Sequence, residues 1–146
     1  AFLPKPTKAF LSIERPISFK PINPPNALQK KDLPAVEKVW FKLKGEIPEL
    51  NINTKKEILT YISDYNVLNA AFKPNGSKYG FYNTLTASLD HSMWFYRDFS
   101  FDDWMLFSVT SPNTYGARGF CRGDIYTRNG DLIASFAQEG LMRPKK

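Results

Sequence analysis

The stretch ASLDHSMWFYRDF, residues 87–99, contains three residue types that together can hydrolyse an ester or amide. Ser88, Asp90 and His91, the only histidine of the chain, lie within four residues of one another. A Ser–His–Asp triad requires the imidazole to lie between the hydroxyl and the carboxylate. Because side chains alternate along a strand, Ser88 and Asp90 would share one face and His91 would tend to the other. No G-x-S-x-G surrounds Ser88 either, so the pattern disfavours a triad.

A structural role explains His91 better. Its neighbours Met93, Trp94 and Phe95 are apolar or sulfur-containing, which is typical of a packed, hydrogen-bonded imidazole. Asp90 is the candidate partner for that hydrogen bond.

The composition predicts one folded domain and excludes several classes of protein. The chain has 146 residues, of which 42% are hydrophobic and 15% aromatic, enough for a core. No apolar run is long enough to span a membrane. Cys121 is the only cysteine, so an intramolecular disulfide is excluded, and an intracellular compartment is favoured over secretion. One cysteine and one histidine also disfavour a structural zinc site, and we expect no metal.

The net charge of +6 indicates a surface that attracts anions. The lysines are dispersed in short pairs, at residues 29–31, 54–56 and 144–146, rather than gathered in a stripe. We therefore favour an ordinary solvated surface, with a phosphorylated ligand second and nucleic acid third. No nucleic-acid partner is expected.

The first third of the chain differs from the rest in its proline content. Eight of the eleven prolines precede residue 49, which predicts irregular structure with short edge strands. Residues 1–14 are typical of a linker, and the folded domain is predicted to span 15–146. PISFKPIN (16–23) and KVWFKLKGE (38–46) alternate apolar with polar residues and predict strands.

The segment 51–72 predicts one long helix. Thr54 followed by Glu57 is a capping-box pattern. Asp64 lies one step from the apolar stripe, so we expect its carboxylate to be partly desolvated. The stripe recurs at spacings of three and four and consists of Ile58, Ile62, Tyr65, Leu68 and Phe72.

The remainder of the chain changes to a period of two. Alternating runs at 81–90, 103–111, 117–127 and 131–143 predict four strands. Asn129–Gly130 between the last two predicts a hairpin with a type I′ turn. One helix on a mostly antiparallel sheet is an α+β layer pair, and it leaves a sheet face or edge in need of a partner.

Long stretches of the chain resemble one known family. They are YISDYNVL (61–68), SLDHSMWFYRDFSFDDWMLF (88–107), RPISFKPINP (15–24) and the whole of 111–143. Together these segments closely resemble the C-terminal half of the type II acyl-CoA thioesterases, a family that includes bacterial and peroxisomal members. The resemblance implies a hotdog fold, in which an antiparallel sheet wraps one long helix. It also implies that the chain corresponds to the second of two tandem hotdog domains.

The resemblance implies a function and a site as well. The expected activity is hydrolysis of fatty acyl-CoA to fatty acid and CoA by direct attack of water, without a cofactor, because CoA belongs to the substrate. Asp64, Ser88 and Gln138 would hold the water. The expected partner is the N-terminal hotdog domain or a second copy of this one, and the expected location is the peroxisome, with the cytoplasm as alternative.

Other interpretations of the same residues stay open. Asp64 could be a surface acid of the helix, Ser88 an ordinary strand serine, and Gln138 a ladder partner. The domain could also bind acyl-CoA or assemble with a partner without turnover. Two arginines, Arg118 and Arg122, could bind CoA phosphates or form salt bridges with Asp124 or Asp131.

Overall fold

The computed structural model describes residues 13–22, 32–80 and 83–145. Most of the predicted linker, residues 1–12, and the start of the predicted strand at 81–82 lie outside these ranges. The elements in chain order are β1 (Ile17–Pro21), β2 (Val36–Leu43), α1 (Ile52–Ser63), α2 (Asn69–Phe72), a 3₁₀ turn (Lys73–Asn75), β3 (Thr84–Ser88), β4 (Ser92–Phe95), β5 (Met105–Tyr115), β6 (Arg118–Thr127) and β7 (Leu132–Pro144).

All strand pairs in the described sheet are antiparallel. The strand order is β1-β2-β5-β6-β7-β3, and β4 also pairs with β7. β3 and β4 therefore lie one after the other along the same side of β7. Ser88 pairs with Gly140 and Ser92 with Ala137.

The chain between β3 and β4 leaves the regular ladder. The backbone N–H of Leu89 still donates to the carbonyl of Glu139, at 2.9 Å. At the next step the Asp90 carboxylate, not the backbone, accepts the N–H of Glu139, at 2.7 Å. The strict alternation expected for residues 81–90 was therefore wrong beyond Ser88, and the face of His91 does not follow from it.

The core lies between the helices and one face of the sheet. Leu59 and Ile62 of α1 are almost fully buried, at 0% and 1% exposure. They pack against the inward-facing residues of the central strands. In a sheet with one covered face, buried side chains alternate along each strand with side chains that face solvent. Those strand residues include Phe41, Met105, Phe107, Val109, Ile125, Ile133 and Phe136.

The predicted long helix is shorter and interrupted. Asn51 is the N-cap of α1, and its side chain accepts the backbone N–H of Thr54 at 3.0 Å. The capping box predicted from Thr54 was therefore wrong, because the more favourable cap residue stands three positions earlier. α1 ends at Ser63, with Asp64 as its C-cap, and Asn66 adopts a left-handed conformation with φ 61°. Helical structure resumes at α2.

The hairpin between β6 and β7 was predicted correctly, but its turn was not. Gly130 has φ +94° and donates to the carbonyl of Thr127, whereas Asn129 is not among the residues with positive φ. A type I′ turn needs positive φ at both central residues, so this loop has three residues instead. The type I′ turn joins β5 to β6, where Gly116 and Ala117 have φ of 60° and 59°.

No helix within the described ranges combines the length and the apolar composition needed to cross a membrane.

Candidate active site

The structure brings together Asp64, Ser88 and Gln138, which are far apart in sequence. The amide nitrogen of Gln138 donates to Asp64 Oδ1 at 2.8 Å and to Ser88 Oγ at 2.9 Å. The hydroxyl of Ser88 donates to Asp64 Oδ1 at 3.1 Å. The three side chains thus form a closed triangle of hydrogen bonds.

Three different elements supply this triangle. Asp64 caps the C-terminal end of α1, Ser88 ends the short edge strand β3, and Gln138 lies on the buried face of β7. Asp64 and Ser88 are exposed, whereas Gln138 is only 1% exposed. The predicted desolvation of Asp64 was therefore wrong, because the helix ends at that residue instead of burying it against the sheet.

Gly140 lets the turn after α1 approach β7. A Cβ at this position would lie 2.6 Å from Cδ2 of Leu68, closer than side chains pack. The left-handed Asn66 turns the chain between Asp64 and Leu68. In the sequence, Asn66 belongs to the segment DYN (64–66) and Gly140 to the segment EG (139–140). Together the two residues allow Asp64 to approach Gln138.

The hydrogen bonds fix which way the Gln138 amide points. A carboxylate only accepts, so the group facing Asp64 must be the amide N–H₂. Both bonds to Asp64 go to Oδ1, and Oδ2 accepts none from the residues that the structure describes. One carboxylate oxygen is therefore held in place, while the other, on an exposed residue, has no partner among the described residues and can accept a proton from water.

His91 adjoins the triangle, and its imidazole is packed and hydrogen-bonded as the sequence predicts. Its Nδ1 lies 2.5 Å from Gln138 Oε1, and its Nε2 lies 2.7 Å from the hydroxyl of Ser63. Its ring stacks on Phe136, with centroids 5.9 Å apart. The predicted partner Asp90 instead accepts the backbone N–H of Glu139, so that assignment was wrong.

The surroundings predicted for His91 are only partly correct. Met93 contacts the same serine, Ser63, through its sulfur at 3.2 Å, whereas Trp94 is 52% exposed. The break in the ladder after Ser88 turns His91 inward. The strict alternation predicted for residues 81–90 concealed this break.

No Ser88–His91–Asp90 triad is assembled, as the sequence predicts. Ser88 donates to Asp64, and His91 contacts Ser63 and Gln138. The order Ser63–His91–Gln138 has the shape of a triad, but Ser63 is 0% exposed. A nucleophile must reach its substrate, so Ser63 is not one.

The remaining reactive groups do not form a second centre. No three His, Cys, Asp or Glu side chains meet as a metal site in the described part of the chain. Burial raises the pKa of the Cys121 thiol, and the residue is 0% exposed, so it stays protonated and shielded. A hydrogen bond with Tyr61 raises the pKa of the Tyr65 phenol, which also stays neutral.

The two arginines considered for CoA phosphates have different surroundings. Arg118 forms a salt bridge with Glu139 at 3.1 Å, not with either of the predicted carboxylates. Asp131 pairs with Arg97 at 3.2 Å, and Asp124 accepts the hydroxyl of Ser135. Arg122 forms no ion pair with any residue that the structure describes.

An antiparallel sheet around a central helix, with an acid at the helix end facing a hydroxyl and an amide, defines a hotdog domain of the thioesterase type. Comparison with known proteins agrees. A solved acyl-CoA thioesterase II from Mycobacterium marinum superposes with a TM-score of 0.73 at 29% identity, covering 90% of this chain and 51% of that one.

The sequence matches the acyl-CoA thioesterase family over residues 9–141, and the chain belongs to that family. It is 36% identical to acyl-CoA thioesterase 2 of Haemophilus influenzae over 141 residues, which are 97% of this chain and 49% of that protein. It is 41% identical to mouse acyl-coenzyme A thioesterase 8 over 132 residues, which are 90% of this chain and 41% of that protein. The chain therefore spans about half the length of these relatives, or less.

Proposed function

We propose that this domain hydrolyses acyl-CoA to a free fatty acid and CoA, with Asp64 as general base. One observation carries the proposal: Ser88 and Gln138 both hold Oδ1 of Asp64, while Oδ2 accepts no hydrogen bond from the described residues. A fixed carboxylate with an outward oxygen can bind and deprotonate a water molecule. The family membership indicates which bond that water attacks.

The chemistry requires little from the protein because thiolate is a good leaving group. Water donates one proton to Asp64, and its oxygen forms a bond to the thioester carbonyl carbon. The carbon–sulfur bond then breaks, and the thiolate of CoA takes the proton from Asp64. No covalent enzyme intermediate and no cofactor are needed in this scheme.

Ser88 and Gln138 orient both the base and the water. By holding Oδ1 they fix the direction in which Oδ2 presents the water, and Ser88 Oγ keeps a lone pair that can accept from that water. This placement of the water accelerates the reaction, because a water held at the correct distance reacts far faster than one in bulk.

We propose that a second hotdog domain completes the assembly, either another copy of this chain or the other half of a longer protein. The edge formed by β3 and β4 supports this, because Leu85, Leu89, Trp94 and Tyr96 are about half exposed along it. An exposed apolar strip beside an open strand edge is typical of an interface. The other large apolar residues of segment 90–99 do not belong to this strip, since Phe99 is buried and Met93 and Phe95 pack against the core.

Light scattering at micromolar concentration tests the pairing. We expect twice the mass of one chain, and a monomer at all concentrations would contradict the homodimer. Leu89→Lys together with Trp94→Lys should shift the mass toward the monomer, whereas the paired change Lys38→Glu and Lys42→Glu on β2 should not.

A DTNB assay for released CoA thiol tests the activity. Cys121 is buried, so the protein itself adds little background. We expect thiol release from short-, medium- or long-chain acyl-CoA, and its loss in Asp64→Asn. Acyl-CoA binding by calorimetry without turnover would instead indicate a non-catalytic binding domain.

The compartment also remains a proposal. The family resemblance supports the peroxisome, with the cytoplasm as alternative, and fluorescence microscopy of the tagged full reading frame tests it.

A further inference from the structure

His91 makes two side-chain hydrogen bonds that the proposed reaction does not use. One goes to Gln138 Oε1, on the side of the amide opposite to Asp64. A terminal amide can rotate by 180° and exchange its oxygen and nitrogen with almost no change in shape. For Gln138 this rotation would place an oxygen against the carboxylate, and both N–H bonds of the triangle would be lost.

The histidine opposes this rotation as long as its Nδ1 carries the proton. Gln138 Oε1 can only accept, so in the observed orientation His91 Nδ1 must carry the proton. After a rotation of the amide, N–H would face N–H unless the imidazole also moved its proton from Nδ1 to Nε2. With Nδ1 still protonated, a buried donor would lose its acceptor, which costs more than one ordinary hydrogen bond contributes.

Ser63 keeps this arrangement intact in both charge states of the imidazole. With a neutral ring, the Ser63 hydroxyl donates to His91 Nε2, at 2.7 Å. With a cationic ring, Nε2 donates and the Ser63 hydroxyl turns to the carbonyl of Thr60, also at 2.7 Å. In both states Nδ1 keeps its proton toward Gln138.

The anchor and the proposed base are neighbours in sequence. Ser63 is the last residue of α1 and is 0% exposed, and Asp64 caps the same helix. Phe136, two residues before Gln138 on β7, stacks on the imidazole. The helix end and one strand therefore hold His91 from both sides.

We propose that His91 is a positioning residue, which holds the Gln138 amide with its N–H₂ group toward Asp64 and Ser88. Its effect on turnover rests on the proposed thioesterase function, whereas its effect on the amide does not. The alternative is the purely structural role that the sequence indicates, in which activity simply follows stability.

Two substitutions separate these roles. In His91→Asn the side-chain nitrogen stands near the former Nδ1, so it can still donate to Gln138, but the contact to Ser63 and part of the volume are lost. In His91→Gln the nitrogen stands near the former Nε2, so volume and the Ser63 contact are better kept, but the donor to Gln138 is lost. A positioning role predicts higher activity in His91→Asn and higher thermal stability in His91→Gln.

The decisive measurement is NMR of the side-chain amide of Gln138 in ¹⁵N-labelled protein, assigned with Gln138→Glu. We expect two well-separated, slowly exchanging amide protons in the wild type and in His91→Asn. In His91→Gln they should move together and exchange faster with solvent. Unchanged Gln138 amide signals in His91→Gln would overturn the proposal. If His91→Asn does not fold, the wild type and His91→Gln carry the comparison.

Kinetics give the second measurement. We expect kcat to fall in His91→Gln by up to about 100-fold, with KM little changed, since misplacing a reacting group by about 1 Å can cost that much. Activity that ranks in the same order as the melting temperatures would contradict the positioning role. A wild-type protein without turnover would refute the thioesterase function, and the amide signals would still decide the role of His91.

Discussion

Two clusters of polar side chains in this domain differ in whether they present a reactive group to solvent. In the cluster of Ser63, His91, Gln138, Ser88 and Asp64, hydrogen bonds run from a buried serine to an exposed carboxylate. The other cluster is an ion pair, in which Lys73 Nζ lies 2.5 Å from Glu37 Oε2. The two side chains of that pair are only 11% and 3% exposed.

The ion pair is closed on itself. Lys73 also donates to the carbonyl of Val36 at 2.6 Å, which ties the 3₁₀ turn to the start of β2. The two opposite charges neutralise each other and are largely shielded from solvent, although Glu37 Oε2 has no hydrogen-bond partner among the described residues. In the Asp64 cluster, by contrast, the hydrogen bonds of the buried Gln138 and of Ser88 hold Oδ1 of the exposed Asp64 in place. Burial supplies rigidity in both places, but only the Asp64 cluster also has an exposed group that can react.

The largest effect should come from Asp64→Asn. The amide keeps the shape of the carboxylate but cannot accept a proton, so turnover should fall by about 10²–10⁴-fold. Because Asp64 is exposed, the melting temperature should change little. The DTNB assay and circular dichroism measure the two quantities, and a folded variant with unchanged kcat would refute the role of Asp64.

The second largest effect should come from Lys73→Met. In contrast to Asp64→Asn, this change should lower stability and leave turnover almost unchanged. This change leaves Glu37 as an uncompensated buried charge, which typically costs about 3–5 kcal/mol of stability. The value of kcat measured well below the melting temperature should stay close to that of the wild type.

Two further variants control this prediction. Lys38→Met removes an exposed lysine of β2, the strand that carries Glu37, and should leave stability nearly unchanged. The double change Glu37→Gln and Lys73→Met should recover part of the loss, because no buried charge remains. A double variant that is less stable than Lys73→Met alone would show that the pair is not the source of the loss.

The sequence predicted the Asp64 cluster better than the ion pair. Asp64, Ser88 and Gln138 came from long motifs, and the packing of α1 on the sheet brings these motifs together. No local pattern linked Glu37 to Lys73, because their contact depends on how the 3₁₀ turn packs on β2. Only the tertiary structure shows such a contact.

Local errors in the prediction had local physical causes. The helix stripe continued through Tyr65 and Leu68, so the periodicity concealed the left-handed turn at Asn66. The alternation from Leu85 onward concealed the departure of Asp90 from the ladder. In both places a polar residue stands where the regular element ends, and both places lie beside the site.

The third effect concerns how the Asp64 triangle works as a unit. Ser88→Ala and Gln138→Ala should each lower kcat, because each removes one hydrogen bond to Oδ1. The double variant should be no more than roughly 0.5 kcal/mol worse than the poorer single variant, since both act on the same carboxylate. Strictly multiplicative losses would mean that the two side chains act independently.

Ser88→Thr is the matched control for that experiment. Threonine retains the hydroxyl that accepts from Gln138 and donates to Asp64, and β3 is an edge strand that tolerates a branched side chain. We expect kcat close to the wild-type value, and a loss comparable to Ser88→Ala would show that more than the hydroxyl matters.

The smallest effect should come from a surface ion pair between Lys55 and Asp98, at 3.1 Å, in which the Asp98 side chain is 70% exposed. The hydrogen bond from Lys55, followed by the backbone N–H of Phe99, holds the pKa of Asp98 below its usual value of 3.8. A carboxyl group with a lowered pKa stabilises the fold above its unfolded pKa, and this contribution is lost as the pH falls through the folded value. Asp98→Asn should therefore lower the melting temperature slightly at pH 7, and the difference from the wild type should vanish well below pH 3.8. Because Asp98 is exposed, added salt should also shrink the difference at pH 7. A difference that persists in acid and in high salt would show that Asp98 acts through uncharged contacts.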